Sequence, residues 1–173
     1  MVRPLRVIAV VFISARLIGF VSDVQAAAAA PAQVPQAIEE AALPLDQFLD
    51  LTNLARTAAG VAPLTRNSKL EVAAAAKAHD MVANHYWAHF RPGDHKAPWD
   101  FISEAGYRYS AAGENLARGY ATPQGITRAW LESPAHAANL LSPRYTDVGF
   151  ASIRTWDANG EPVLLTVQMF GTP

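Results

Sequence analysis

The sequence predicts an α+β domain, with helices gathered around a mainly antiparallel sheet, and three observations lead there. Several segments in the first two thirds of the chain repeat apolar residues at helical spacing. Two runs near the end, Asp147 to Thr155 and Pro162 to Phe170, are β-rich and flank Asp157-Ala158-Asn159-Gly160, the signature of a hairpin with glycine at a left-handed position. In the second run Val163, Leu165, Val167 and Met169 alternate with Leu164, Thr166, Gln168 and Phe170, so both faces are rather apolar and helices must cover the sheet on both sides.

The helices follow in order. From Asp46 to Ala59, Phe48, Leu51, Leu54, Ala55 and Ala58 recur at helical spacing, and Gly60 is a natural stop. Ser68 followed by Glu71 reads as a capping box opening a helix from Lys69 to about Asn84, with Leu70, Ala74, Ala78, Met81 and Val82 as its buried stripe. Pro98 suits a first helical position, and Trp99, Ile102 and Ala105 make a short amphipathic turn stopped by Gly106. Tyr107 to Tyr109 reads as a short strand. Thr122-Pro123 opens a helix through Ile126, Ala129 and Trp130, and Ser133-Pro134 breaks it and starts another, Ala135 to Leu141. No internal repeat is visible.

The two ends of the chain differ in kind. Arg3 and Arg6 precede the apolar run Val7 to Ala15, and after Arg16 a second run, Leu17 to Val21, leads to Val24-Gln25-Ala26. That order predicts a signal peptide over residues 1–26, cleaved after Ala26, and a secreted or periplasmic product. An arginine inside so short an apolar stretch argues against a retained anchor, because a spanning helix needs about 20 apolar residues, so no membrane span is expected in the mature form. Residues 27–44 are Ala/Pro-rich without an apolar period and read as a linker, which leaves residues 45–173 as one domain.

Of the 173 residues 51% are hydrophobic and 17% charged, as in a globular domain. The formal net charge is −1, and removing residues 1–26 with three arginines and one aspartate makes it −3, so no basic field favours nucleic acid. The absence of cysteine excludes disulfides, zinc thiolates and a cysteine nucleophile.

Residues that can carry chemistry lie between His89 and His136. Of the five histidines, His79, His85, His89, His95 and His136, each taken alone reads as a surface or hydrogen-bonded side chain. His85 and His89 are four apart, but Tyr86-Trp87-Ala88 between them lacks the glutamate of a zinc-protease helix. Glu114, in Gly113-Glu114-Asn115, has no helical period to place it on a solvated face and reads either as a site carboxylate or as a loop carboxylate bonded to neighbouring amides. Ser133 precedes His136 by three residues, yet Ser-Pro at a helix start is an ordinary cap and no glycine elbow surrounds this serine. Trp130 reads as core.

Taken together, these segments resemble the CAP or SCP-like family of cysteine-rich secretory, antigen 5 and pathogenesis-related proteins, in particular its short bacterial secreted members. The resemblance runs through Asn53-Leu54-Ala55-Arg56, Gly60, Leu64, Leu70 to Met81, His89, Gly106-Tyr107 and Gly113-Glu114-Asn115-Leu116-Ala117. It continues through Trp130, Ser133-Pro134-Ala135-His136, Asn139-Leu140-Leu141, Val148-Gly149 and Gln168-Met169-Phe170-Gly171. It implies a three-layer α-β-α sandwich with a largely antiparallel central sheet, and a cleft lined by two histidines and two acids. His89, Glu114 and His136 match three of these and are the expected metal-binding set. Glu132 falls one position short of the fourth, an offset that turns a helical side chain by about 100°, so it is a possible additional cleft residue.

Two imidazoles and a carboxylate suit zinc or another divalent cation of similar softness better than calcium. The resemblance implies a binding or effector protein whose partner is a small ligand or a cell-envelope component, without established catalysis. The alternative is a metal-assisted or acid–base hydrolase acting on peptides or cell-envelope polymers. No catalytic residue is assigned.

Overall fold

A computed structural model describes residues 39–40, 43–157 and 159–173. The signal peptide and most of the linker expected from the sequence lie outside the described residues. The described elements are β1 (Glu39–Glu40), α1 (Leu45–Ala58), β2 (Thr65–Arg66), α2 (Ser68–Ala83), α3 (Pro98–Glu104), β3 (Ala111–Arg118), α4 (Pro123–Glu132), α5 (Pro134–Leu140), β4 (Asp147–Trp156) and β5 (Pro162–Thr172). β1 falls within the Ala/Pro-rich segment.

The strands form one sheet in the order β1-β4-β5-β3, with β2 on the outer edge of β4. All pairings are antiparallel except β2 with β4, which is parallel through Thr65 opposite Asp147 and Arg66 opposite Val148. The hairpin expected at the end of the chain is β4-β5, and Gly160 takes the left-handed conformation with φ 80°. Both faces of β5 are buried, as its two apolar alternations require. On one face Leu165, Val167 and Met169 pack with Leu70, Ala74, Ala78 and Met81 of α2 and with Phe101 and Ile102 of α3. On the other, Phe170, Val148 and Phe150 pack with Phe48 of α1, Ile126 and Trp130 of α4 and Leu140 of α5. These are the three layers, α-β-α.

The alanines of α2 let it lie close on the sheet. Where it crosses β4, a Cβ on Gly149 would overlap the backbone of Leu70 and Glu71, so only glycine fits. Trp130 belongs to the core, 1% exposed, and its indole nitrogen donates to the carbonyl of Leu116 at 3.0 Å.

Four local expectations are corrected. The α2 N-cap is Asn67, whose Oδ1 accepts from the Lys69 amide at 3.0 Å; Ser68 is already helical, and Glu71 pairs with Arg66 instead of closing a capping box. Pairing of β2 with β4 ends at Arg66, so the chain turns one residue earlier than Ser68 suggested. In α1 the buried residues are Phe48, Thr52 and Arg56 while Leu54 is exposed, because the fold has hydrogen-bond partners waiting for the two polar side chains: Arg56 donates to the carbonyl of Ala62, and Thr52 Oγ1 accepts from Gln168 Nε2. Tyr107 to Tyr109 is not a strand: the Tyr107 amide closes the turn after α3 by bonding to the carbonyl of Ile102. Gly113-Glu114-Asn115 is not a loop but the middle of β3, with Glu114 opposite Met169.

Candidate functional site: a His–Glu pair at the sheet edge

β3 is the last strand of the sheet, and its open side borders a cleft of about 410 Å³. Ala112, Gly113 and Glu114 of β3 form one wall, Asn139 of α5 closes one side, and Ala88, His89, Phe90, Pro98 and Trp99 form the other. A volume of this size, mostly apolar with a few convergent polar groups, is typical of small-molecule sites.

His89 reaches the cleft because α2 stops early. The helix ends at Ala83, and His85 turns the chain in the left-handed region, φ 52°, which the short bond from the Tyr86 amide to the carbonyl of Met81 stabilises. His85 and His89 therefore share no helical face. From its position beyond this turn, His89 Nδ1 lies 2.6 Å from Glu114 Oε1. The Glu114 side chain is 1% exposed and that of His89 50%. Glu114 Oε2 is buried and has no hydrogen-bond partner among the described residues.

Burial pushes the Glu114 carboxyl above its ordinary range, opposed by the hydrogen bond from His89 and the positive charge of Lys77. The same hydrogen bond raises the His89 imidazole against its own partial desolvation. These groups hold a proton between them, and the imidazole is fixed with Nδ1 toward the carboxylate and Nε2 as its other ring nitrogen.

His136 is placed by α5. Asn139 donates to the carbonyl of Glu114 at 3.0 Å and to Asn115 Oδ1 at 3.1 Å, and Asn115 donates to the carbonyl of His136 at 3.2 Å and to Gln168 Oε1 at 3.2 Å. This amide seam ties α5 to β3. Burial lowers the His136 pKa, and the charge of His89 lowers it further, so the two imidazoles sense each other. His136 Nδ1 is 2.9 Å from Ser133 Oγ, a contact between residues three apart at a helix start that engages this ring nitrogen rather than Nε2.

The sequence-expected residues thus separate. His89 and Glu114 meet directly, and His136 stands within electrostatic reach of His89. Neither His136 nor Glu132 is among the residues lining the cleft, and Glu132 ends α4 with a side chain 71% exposed, 4.0 Å from Arg128. Among the described residues no group of three or more His, Asp or Glu side chains is gathered as a metal site.

Lys77 and Phe90 were not singled out from the sequence, and Trp99 and Asn139 entered it only as a helix residue and a motif residue, without a place in the site. Lys77 had a visible signal: it lies three residues after Ala74 and four before Met81, a charge inside the apolar stripe of α2. Phe90 and Trp99 had none, since an aromatic near a proline reads equally as core.

The comparisons agree with this architecture. The family model described as "Cysteine-rich secretory protein family" (CAP) matches residues 49–170. The uncharacterized protein YkwD of Bacillus subtilis is 34% identical over 109 residues, covering 63% of this chain and 42% of that protein. Among solved structures, an extracellular protein containing an SCP domain from Bacillus anthracis superposes with a TM-score of 0.64 at 25% identity, over 74% of this chain and 40% of that one. An outer surface protein from Borrelia burgdorferi, at 20% identity and a TM-score of 0.62, covers 74% of this chain and 91% of its own and shows the fold alone. The chain spans less than half the length of the two Bacillus relatives. With a family match across most of its length and the same three layers, the chain belongs to the CAP family and is a CAP/SCP-domain protein of the bacterial type.

Proposed function

We propose that this chain is a secreted CAP-domain protein that holds a small amphipathic ligand or a cell-envelope fragment in the β3 cleft without turning it over. In this reading His89 and His136 can also hold a divalent cation such as zinc. The observation that carries the proposal is the 2.6 Å pair between His89 and a buried Glu114 at the wall of a cleft otherwise lined largely by apolar side chains. Export is supported by the charged and then apolar start of the sequence and its small-residue cleavage site. Among the described residues no helix is long and apolar enough to cross a membrane.

In this reading the donor set holds a cation in one particular way. Nδ1 of each imidazole is already hydrogen-bonded, His89 to Glu114 and His136 to Ser133, so Nε2 of each is the nitrogen that would coordinate. Glu114 then acts from behind His89, in the manner of the carboxylate–histidine pairs that orient metal ligands, rather than as a third ligand. A bound zinc would supply Lewis acidity, with water completing its shell. Isothermal titration of the protein with zinc at neutral pH tests this: binding is expected, and His136→Ala should abolish it. An isotherm that His136→Ala leaves unchanged ends the cation reading.

One observation favours the hydrolase alternative, namely that an imidazole held by a buried carboxylate is the arrangement of a general base. Peptidoglycan, ester and peptide substrates offered to wild type and Glu114→Ala decide it, since equal rates leave no catalysis at this site.

A further inference from the structure

We propose that Lys77 is a positioning residue for His89: its ammonium group, buried beneath the loop, holds the main chain of residues 88 and 89 and thereby sets the imidazole against Glu114. The inference deepens the cleft reading, since it concerns the same imidazole, but it needs neither cation nor ligand.

Lys77 is 0% exposed, which is costly for an ammonium and demands compensation. Its Nζ lies 2.6 Å from the carbonyl of His89, 3.0 Å from that of Ala88 and 3.1 Å from the Tyr86 hydroxyl. An ammonium has three protons and no lone pair, so these three acceptors take everything it offers. Nothing remains for a ligand or for nucleophilic chemistry. The rings of Tyr86 and Phe101 close over it, their centroids 4.8 and 5.5 Å from Nζ.

The loop above needs such an anchor. Trp87 is 41% exposed and Phe90 50%, so burial of these side chains holds the segment weakly. Its two ends are tied to α2 through Asp80, which accepts from the Tyr86 hydroxyl at 2.5 Å and from Arg91 at 2.6 Å. Between those ties Lys77 is the group on α2 that reaches the backbone of Ala88 and His89. A charge acting only at a distance would not require bonds to both carbonyls.

The test reads the hydrogen bond directly. In ¹⁵N-labelled protein at fixed pH with chelator present, the Nδ1 proton of His89 should give a downfield, exchange-protected resonance that Glu114→Ala removes. Lys77→Met, of similar length but without donors, is expected to lose that resonance or to exchange it at least 10-fold faster. Lys77→Arg keeps the charge but offers a planar fork in place of three tetrahedral donors, and is expected to shift and broaden the signal. A merely structural lysine would lower the melting temperature and leave the resonance of the folded protein alone. A resonance unchanged in Lys77→Met or, should that chain not fold, in Lys77→Arg overturns the proposal. Zinc or ligand binding can fail without touching this result.

Discussion

His89 Nδ1 and Glu114 Oε1 stand 2.6 Å apart across a boundary, with half of the imidazole in solvent and the carboxylate 1% exposed. The carboxylate lies in the middle of β3, held by strand pairing, whereas the imidazole comes from a loop. One partner is therefore fixed by the sheet and the other must be brought to it.

The two site histidines should titrate on opposite sides of the ordinary value of 6.5. The hydrogen bond to Glu114 raises His89, so its contribution to stability is full below 6.5 and lost as pH rises through its elevated folded pKa. His136 is lowered, first by burial and then by the charge of His89, so its contribution is present above 6.5 and lost as pH falls through its depressed folded pKa. NMR titration of the imidazoles checks this. Glu114→Gln should bring the His89 midpoint down and let that of His136 rise; coincident midpoints in the wild type would contradict the geometry.

Zinc affinity should distinguish the acids. Removing a carboxylate that orients a ligating histidine weakens metal binding by about 10–100-fold, and Glu114→Gln is expected in that range. Glu132→Gln should change affinity by less than about 2-fold, since its side chain is 71% exposed on α4 and beside Arg128. Affinity should also fall from pH 7 to pH 5 as the imidazoles take up protons. Calorimetry on the two variants suffices, and equal losses would place Glu132 in the site after all.

How much of this was legible in the sequence depends on the range of the interaction that decides each feature. The β4-β5 hairpin, the proline starts of α3, α4 and α5 and the layered architecture are written in local patterns, and the structure follows them. The α2 cap slipped by a residue because Asn67 competes with Ser68, and pairing of Arg66 with Val148 on β4 settles where the helix begins. Glu114 could not be assigned to a strand because Gly113-Glu114-Asn115 carries no β pattern; its pairing with β5 is imposed from more than fifty residues away. The buried role of Arg56 was hidden for the same reason, since its acceptors lie at Leu140, Ser142 and Tyr145.

Arg56 offers a stability prediction. Its guanidinium is 1% exposed and donates to the carbonyls of Ala62, Leu140, Ser142 and Tyr145 at 2.8 to 3.1 Å. Leu140 is the last residue of α5, so the cation also sits favourably at a helix C-terminus. Arg56→Met should strand several buried carbonyls and cost at least about 3 kcal/mol, because each unsatisfied group costs about 1–3 kcal/mol. Arg56→Lys, with one ammonium for four acceptors, should fall between. Urea denaturation measures both, and a loss below about 1 kcal/mol for Arg56→Met would show that water replaces the guanidinium without difficulty.

The glycine of Gly113-Glu114-Asn115 has a physical reason that can be tested by a double-mutant cycle. A Cβ at position 113 would lie 2.5 Å from the Tyr145 hydroxyl oxygen and 2.8 Å from the ring carbon bearing it. Tyr145 cannot readily withdraw: its hydroxyl donates to the carbonyl of Ala112 at 3.0 Å, and its ring stacks on Phe170 with centroids 5.2 Å apart. Gly113→Ala should therefore cost about 1–3 kcal/mol, as overpacking of a filled site does. Tyr145→Phe removes the nearest atom but not the ring, so in its presence the cost of Gly113→Ala should shrink by about 0.5–1 kcal/mol without vanishing. Strain at position 113 is also passed to its neighbour, and Gly113→Ala should disturb the His89 imidazole signals while Tyr145→Phe alone does not. Additive energies together with unaltered His89 signals would mean that β3 absorbs the methyl group by moving as a whole, and that the glycine is not needed to seat Glu114.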